Sequence, residues 1–256
     1  MAAKESSASA VSMHLLTSYR KSWLGSAFNT FLFPVCLLVG IGWSVGRAVH
    51  HTVGPYAYLP YVAAGLLAAA VTQVAAAESA WQVFGCFEWS KMYYAVRVTP
   101  IRVTDILMGH LYYVWLRALI AGLGFLVVIT AFGVPRSWWT LADVPITLLV
   151  AAAVSTPVFA ISASIRHAGM YDILFRLGIV PMSLLSGIYF PLGDLPAAIR
   201  VIVLILPLSH AVELTRMCTL GGIRPWQTAG DLACLAAWAA GGLLLACAAF
   251  THRLSD

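Results

Sequence analysis

The side chains that could do chemistry are few, and their spacing excludes most of it. Seven histidines are scattered, only His50 and His51 are neighbours, and no HExxH, GxSxG or Cys/His cluster occurs. The five cysteines (Cys36, Cys86, Cys218, Cys234, Cys247) show no CxxC spacing and lie mostly in or beside apolar segments, where cysteine acts as a small hydrophobe. No metal site is expected. A phosphate-binding loop needs G-x-x-x-x-G-K-[ST], in which glycines bare the backbone N–H groups and the lysine reaches the outer phosphates. Lys4, Lys21 and Lys91 stand in no such frame, so the chain does not hydrolyse ATP by that route. One acid–base set is left, Asp194, His210 and Glu213. It is the only candidate for a membrane enzyme acting on lipid or polyprenyl substrates, which would need such residues clustered at one membrane face. His110 and His210 also read as packing residues with satisfied rings.

Two charges sit where charge is costly. Glu78 and Arg117 fall inside long apolar segments, and intramembrane charges usually face a bundle interior and pair. An ion pair between neighbouring antiparallel helices is one reading. The other has Arg117 snorkelling and Glu78 reaching headgroups. An ion-coupled carrier would want acidic groups near the midplane, and Glu78 alone comes close.

The elements around these residues are membrane spans. Of 256 residues, 61% are hydrophobic and 10% are charged, against about 25% charged in a soluble domain. The net charge of +5 is spread over segment ends rather than gathered in a stripe, which excludes a nucleic-acid binder. Residues 1–10 read as a disordered tail without a cleavable signal, and residues 11–256 as one membrane domain. Leu15, Tyr19 and Trp23 recur at helical spacing beside Arg20 and Lys21, which predicts an amphipathic helix on the cytoplasmic surface. Spans are expected at about 27–46, 59–83, 106–132, 145–165, 171–189 and 231–251, each near the roughly 20 apolar residues a bilayer requires. Basic residues in the short loops place both termini in the cytoplasm.

Two connections stand out. Residues 84–105 form the longest inner loop, aromatic and basic, with Thr99 placed to cap a short surface helix that begins at Pro100. This loop reads either as a docking surface for a soluble partner or as a plain connector with topological charge. Residues 190–222 hold an apolar run too short to cross a bilayer, 201–208, punctuated by Pro191, Pro196 and Pro207. A segment of that kind dips into the membrane and turns back. The expected fold is therefore an all-α integral membrane protein. It has six transmembrane helices, an N-terminal amphipathic interface helix and an extracellular re-entrant helical hairpin between helices 5 and 6.

The stretches YRKSWLGSAFNTFLFPVCLLVGIGWSVG, YAVRVTPIRVTDILMGH and SGIYFPLGDLP followed by LPLSHAVELTR resemble the membrane subunits of ABC-2-type export permeases. Within that class they resemble nodulation-type lipo-oligosaccharide and daunorubicin-type drug exporters. The resemblance runs from about Tyr19 to the end of the chain. It implies a non-catalytic permease in a bacterial inner membrane, paired with a second copy or a paralogous permease. Each permease would engage a separate ATP-binding-cassette subunit that carries ATP and Mg, with no cofactor in this chain. It further implies ATPase coupling through Glu88, Lys91, Tyr94, Arg97, Thr99, Pro100, Arg102 and Asp105. The extracellular gate would be built from Gly187, Pro191, Gly193, Asp194, Pro196, Pro207, Glu213 and Arg216. Apolar and aromatic side chains such as Phe28, Phe31, Phe33, Trp43 and Tyr61 suit an amphipathic or lipid-linked cargo, and suit helix packing equally.

Overall fold

The computed structural model describes residues 12–13, 35–36, 38–43, 55–97, 101–165, 167 and 169–255. The described residues are helical almost throughout. Helix α1 (Tyr58–Trp89) is the centre of the bundle. Its first part, Tyr58–Ala77, is apolar on every side and rich in alanine, so it is buried nearly all round rather than along one stripe. Small residues let neighbours approach its backbone: a Cβ built on Gly65 would fall 3.1 Å from the Cα of Ile188. Pro60 sits in the first turn, where its missing N–H costs nothing. The last part of α1 widens into π-type turns at Glu78–Gln82 and Gly85–Trp89.

Helix α1 therefore runs past the expected end at residue 83. It stops where Ser90 bonds back to Gly85 and Lys91 takes a left-handed φ of 54°. The connection to the next long helix is correspondingly shorter than residues 84–105. It carries a short helix, α2 (Met92–Arg97), ahead of the place expected for one; Thr99 and Pro100 lie outside the described residues.

Helices α3 (Val103–Ala131) and α4 (Asp143–Ser164) follow, the latter introduced by a 3₁₀ turn at Trp138–Ala142. The segment expected as a fifth span is helical over 169–185 in three pieces, starting with α5 (Gly169–Ile173). Helices α6 (Ala197–Ile205) and α7 (Pro207–Leu220) meet at an 83° bend, here called the elbow. Helix α8 (Pro225–Ser255) starts six residues earlier than expected. Asp231 does not mark its beginning, because the carboxylate is buried and paired within the bundle.

Among the described residues, four helices are long and apolar enough to cross a membrane: Tyr58–Trp89, Val103–Ala131, Trp138–Ser164 and Pro225–Leu254. The bent pair α6–α7 could add a fifth crossing. The expected span at 27–46 and the N-terminal interface helix fall mostly outside the described residues. Ser12 and Met13 are helical, and the Ser12 hydroxyl donates to the Gly109 carbonyl at 3.0 Å. Outward faces are apolar: Tyr112, Leu116, Ile120, Leu123 and Val127 form one exposed stripe along α3. Water would penalise such a stripe; lipid or another apolar helix would not.

The closest packing in the bundle is between α4 and α8. A Cβ on Gly242 would lie 2.6 Å from Pro157 Cδ and 2.7 Å from its backbone nitrogen, whereas one on Gly241 meets nothing within 4 Å. The Thr156 hydroxyl crosses the same seam to the Ala239 carbonyl at 3.1 Å. Gly242→Val is expected to destabilise the purified protein by about 1–3 kcal/mol through backbone displacement. Gly241→Val should leave thermal unfolding unchanged, and equal melting of the two variants would contradict this packing.

Candidate functional site

Among the described residues, the candidate residues named above fall at three polar centres of the apolar bundle. One lies at the connector end, near α2, one in the middle, and one at the elbow.

The middle centre joins α1 to α3. Arg117 Nη2 and Nε donate to Glu78 Oε1 at 2.9 and 3.1 Å, with Arg117 buried and Glu78 nearly so. Tyr113 donates to Glu78 Oε2 at 3.4 Å, and Gln82 Nε2 donates to the Tyr113 hydroxyl at 3.2 Å. Positions 78 and 82 on one helix face 113 and 117 on the other, each pair one turn apart. The structure thus brings Glu78 and Arg117 together and adds a second rung that spacing alone did not reveal. Removing one member of such a pair leaves its partner charged and unpaired in an apolar interior.

At the connector end the sequence-derived residues divide. Lys91, Tyr94 and Arg102 are exposed, and the Lys91 ammonium lies 5.8 Å from the centre of the Tyr94 ring. Asp105 stands in the first turn of α3, where its charge favours the helix dipole. The side chain of Arg97, like Thr99 and Pro100, lies outside the described residues. Glu88 does not face outward with Lys91. It bonds to Arg253, in the last turn of α8.

Arg253 is buried, its guanidinium 4.2 Å from the centre of the Phe87 ring. Its Nη1 donates to the carbonyls of Ser162, Ala163 and Ile165 at 3.3, 2.9 and 2.7 Å, covering the exposed end of α4. Phe87, Tyr93, Phe159 and Phe250 pack edge to face and stacked beneath it. The Tyr93 hydroxyl meets His110 Nδ1, and burial pushes the Tyr93 phenol far above its ordinary range, so it stays neutral. One face of α2 is thereby locked into the bundle while the other, with Tyr94, is open.

At the elbow, side chains cover the last carbonyls of α6. Ser209 donates to Val203 and Leu206 at 2.7 and 2.8 Å, and Trp238 Nε1 to Ile205 at 3.0 Å. His210 Nε2 lies 2.8 Å from the Leu204 carbonyl, and its Nδ1 lies 2.7 Å from Asp231 Oδ1. The proposed acid–base set is not assembled. His210 pairs with Asp231, Glu213 with Arg216 at 3.3 Å, and Asp194 is exposed in a separate 3₁₀ turn, Leu192–Asp194.

Arg216 sits 3.7 Å over the Tyr61 ring and donates to the Gly187 carbonyl at 2.8 Å, which also accepts from Tyr61. Gly187 needs its freedom here: its φ is 80°, and a Cβ would reach 3.0 Å from Leu192. Pro196 precedes α6 and Pro207 opens α7, so these prolines begin helices on either side of the bend. Pro191 precedes the 3₁₀ turn, and Gly193 within it has open space around it. A cavity of about 430 Å³ opens beside these groups, lined in part by Tyr61, Arg200, His210, Glu213, Arg216 and Asp231. Of the arginines near the elbow, Arg216 packs, Arg200 lines the cavity from an exposed position, and Arg224 reaches Gln227 at 3.5 Å. No group of three or more His, Cys, Asp or Glu side chains placed to hold a metal occurs among the described residues.

Glu78→Ala is expected to cost about 3–5 kcal/mol by removing the carboxylate that pairs with the buried Arg117. Exchanging both charges should recover part of the loss in melting temperature. A double exchange no better than either single one would contradict a direct pair.

Residues 9–220 match the ABC-2 type transporter family. The chain is also similar to Nodulation protein J of Rhizobium leguminosarum bv. trifolii, 30% identical over 204 residues that cover 80% of this chain and 78% of that protein. Nodulation protein J of R. leguminosarum bv. viciae is likewise 30% identical, over 208 residues, with the same shares covered. That of Rhizobium meliloti strain 1021 is 28% identical over 208 residues. The apolar helices, the polar centres at both ends and this match agree: the chain belongs to the ABC-2 type transporter family.

Proposed function

We propose that this chain is the membrane permease of an ATP-driven exporter in a bacterial plasma membrane, with both termini in the cytoplasm. It has six spans, the first at about 27–46, and an amphipathic helix ahead of them on the inner surface. It works beside a second copy or a paralogous permease. ATP and Mg are bound by a separate ATP-binding-cassette subunit, and the connector is the surface that subunit engages. The elbow is a re-entrant hairpin that closes the outer end of the path. The apolar character of the span segments favours an amphipathic cargo such as a drug, lipid, glycolipid or lipid-linked saccharide.

The observation that carries this reading is the two-sided construction of α2. Its inner face, through Tyr93 and Phe87, is clamped to the bundle, while Tyr94 and the flanking Lys91 and Arg102 are presented outward. A surface element rigidly joined to the spans suits a lever that a soluble partner pushes. The test is co-expression with a candidate ATP-binding-cassette subunit from the same organism. Reversing Lys91 and Arg102 to glutamate should reduce capture of the ATPase at least about tenfold, since charge complementarity steers and registers such contacts. A cysteine at Gly193 that cross-links two copies should block export and leave ATPase capture intact. Failure of the unmodified chain to capture any ATPase overturns the reading.

A further inference from the structure

The last helix is tied at both ends in a way that spanning a membrane does not require. At the connector end, Arg253 bonds Glu88 of α1 and the terminal carbonyls of α4. At the elbow end, Asp231 holds His210 of α7, and Trp238 donates to the Ile205 carbonyl at the end of α6. Between these ties α8 is a continuous α-helix, and it is keyed into α4 by Gly242 on Pro157 and by Thr156 on the Ala239 carbonyl. The 22 steps from Asp231 to Arg253 span ~33 Å at ~1.5 Å each, about the thickness of the hydrocarbon core. Helix α1, which also runs between the two ends, is widened by π-type turns near the connector and is the less rigid link.

We propose that α8 is a strut that mechanically couples the connector to the elbow. Arg253 is the positioning residue at its connector end, and Asp231 and Trp238 fix its elbow end. In this assignment Glu88 acts inward, through Arg253, and not by touching a partner. A shift of the connector moves the end of α4 and α8 together, because one guanidinium holds all three. The close-packed α4–α8 seam prevents the shift from being absorbed by sliding. The displaced α8 then pulls on the carbonyl and imidazole contacts that set the elbow bend. The permease reading supplies only the direction of the signal; the strut itself stands on the contacts named here.

Amide hydrogen exchange on the full chain in lipid nanodiscs tests it without an ATPase. Glu88→Gln weakens the Arg253 tie and should speed exchange of the 199–206 amides by about threefold or more, some 30 Å away, with α3 unchanged. Trp238→Phe keeps the ring, removes the donor to Ile205, and should raise exchange in 92–97 to a similar extent. If Glu88→Gln does not yield folded protein, Trp238→Phe alone decides. Changes confined to the two turns around each substituted residue overturn the strut, and so does a uniform rise that includes α3. A chain that captures no ATPase would refute the permease reading and leave this result standing.

Discussion

A carbonyl with no donor inside hydrocarbon costs several kcal/mol, and most of the buried polar side chains near the helix ends can be understood from that constraint. Each helix end that stops within the bundle leaves orphan carbonyls. Arg253 covers those of α4, while Ser209, His210 and Trp238 cover those of α6. The donors come from other elements, so satisfying the backbone also fixes how the helices sit on one another. The elbow bend and the connector clamp are two solutions to one problem.

The charged pair between Glu78 and Arg117 obeys a different rule. Replacing a buried ion pair by well-packed apolar side chains of similar volume often costs a fold nothing. What the pair and its Tyr113–Gln82 rung provide is register: one helix cannot slide along the other without stranding a charge. Together with the carbonyl ties, this gives a bundle whose interior is apolar but whose helix positions are specified by about a dozen polar contacts.

Much of this was legible in the sequence. The long apolar segments at 106–132 and 145–165 appear as helices within three residues of those bounds, and that at 59–83 as a helix that runs on to Trp89, because their length and composition favour helices in a bilayer. Glu78 and Arg117 stood out because charge in such segments is rare. Asp231 and Arg253 did not stand out. A charge near the end of an apolar run ordinarily marks a boundary, and only the fold shows that both are buried with partners more than twenty residues away or on other helices. Glu88 sat beside Lys91 in the sequence and was grouped with it; the wide turns that end α1 rotate Glu88 inward and leave Lys91 outside. The Ser209–His210 pair carries a faint signal, two donors one residue past Leu206–Pro207, where a helix that has just ended needs them.

The account joins an exposed connector face at one end, a bent elbow at the other, and an apolar bundle between them, in a chain of the ABC-2 type transporter family. Its central claim is that force enters from a separate ATPase. The most direct measurement is the mass and nucleotide turnover of the complex purified from its native membrane. The account predicts two permease chains with two ATPase subunits and ATP hydrolysis that vanadate abolishes. A chain that purifies without any ATP-binding subunit, in a preparation that does not hydrolyse ATP, would contradict it.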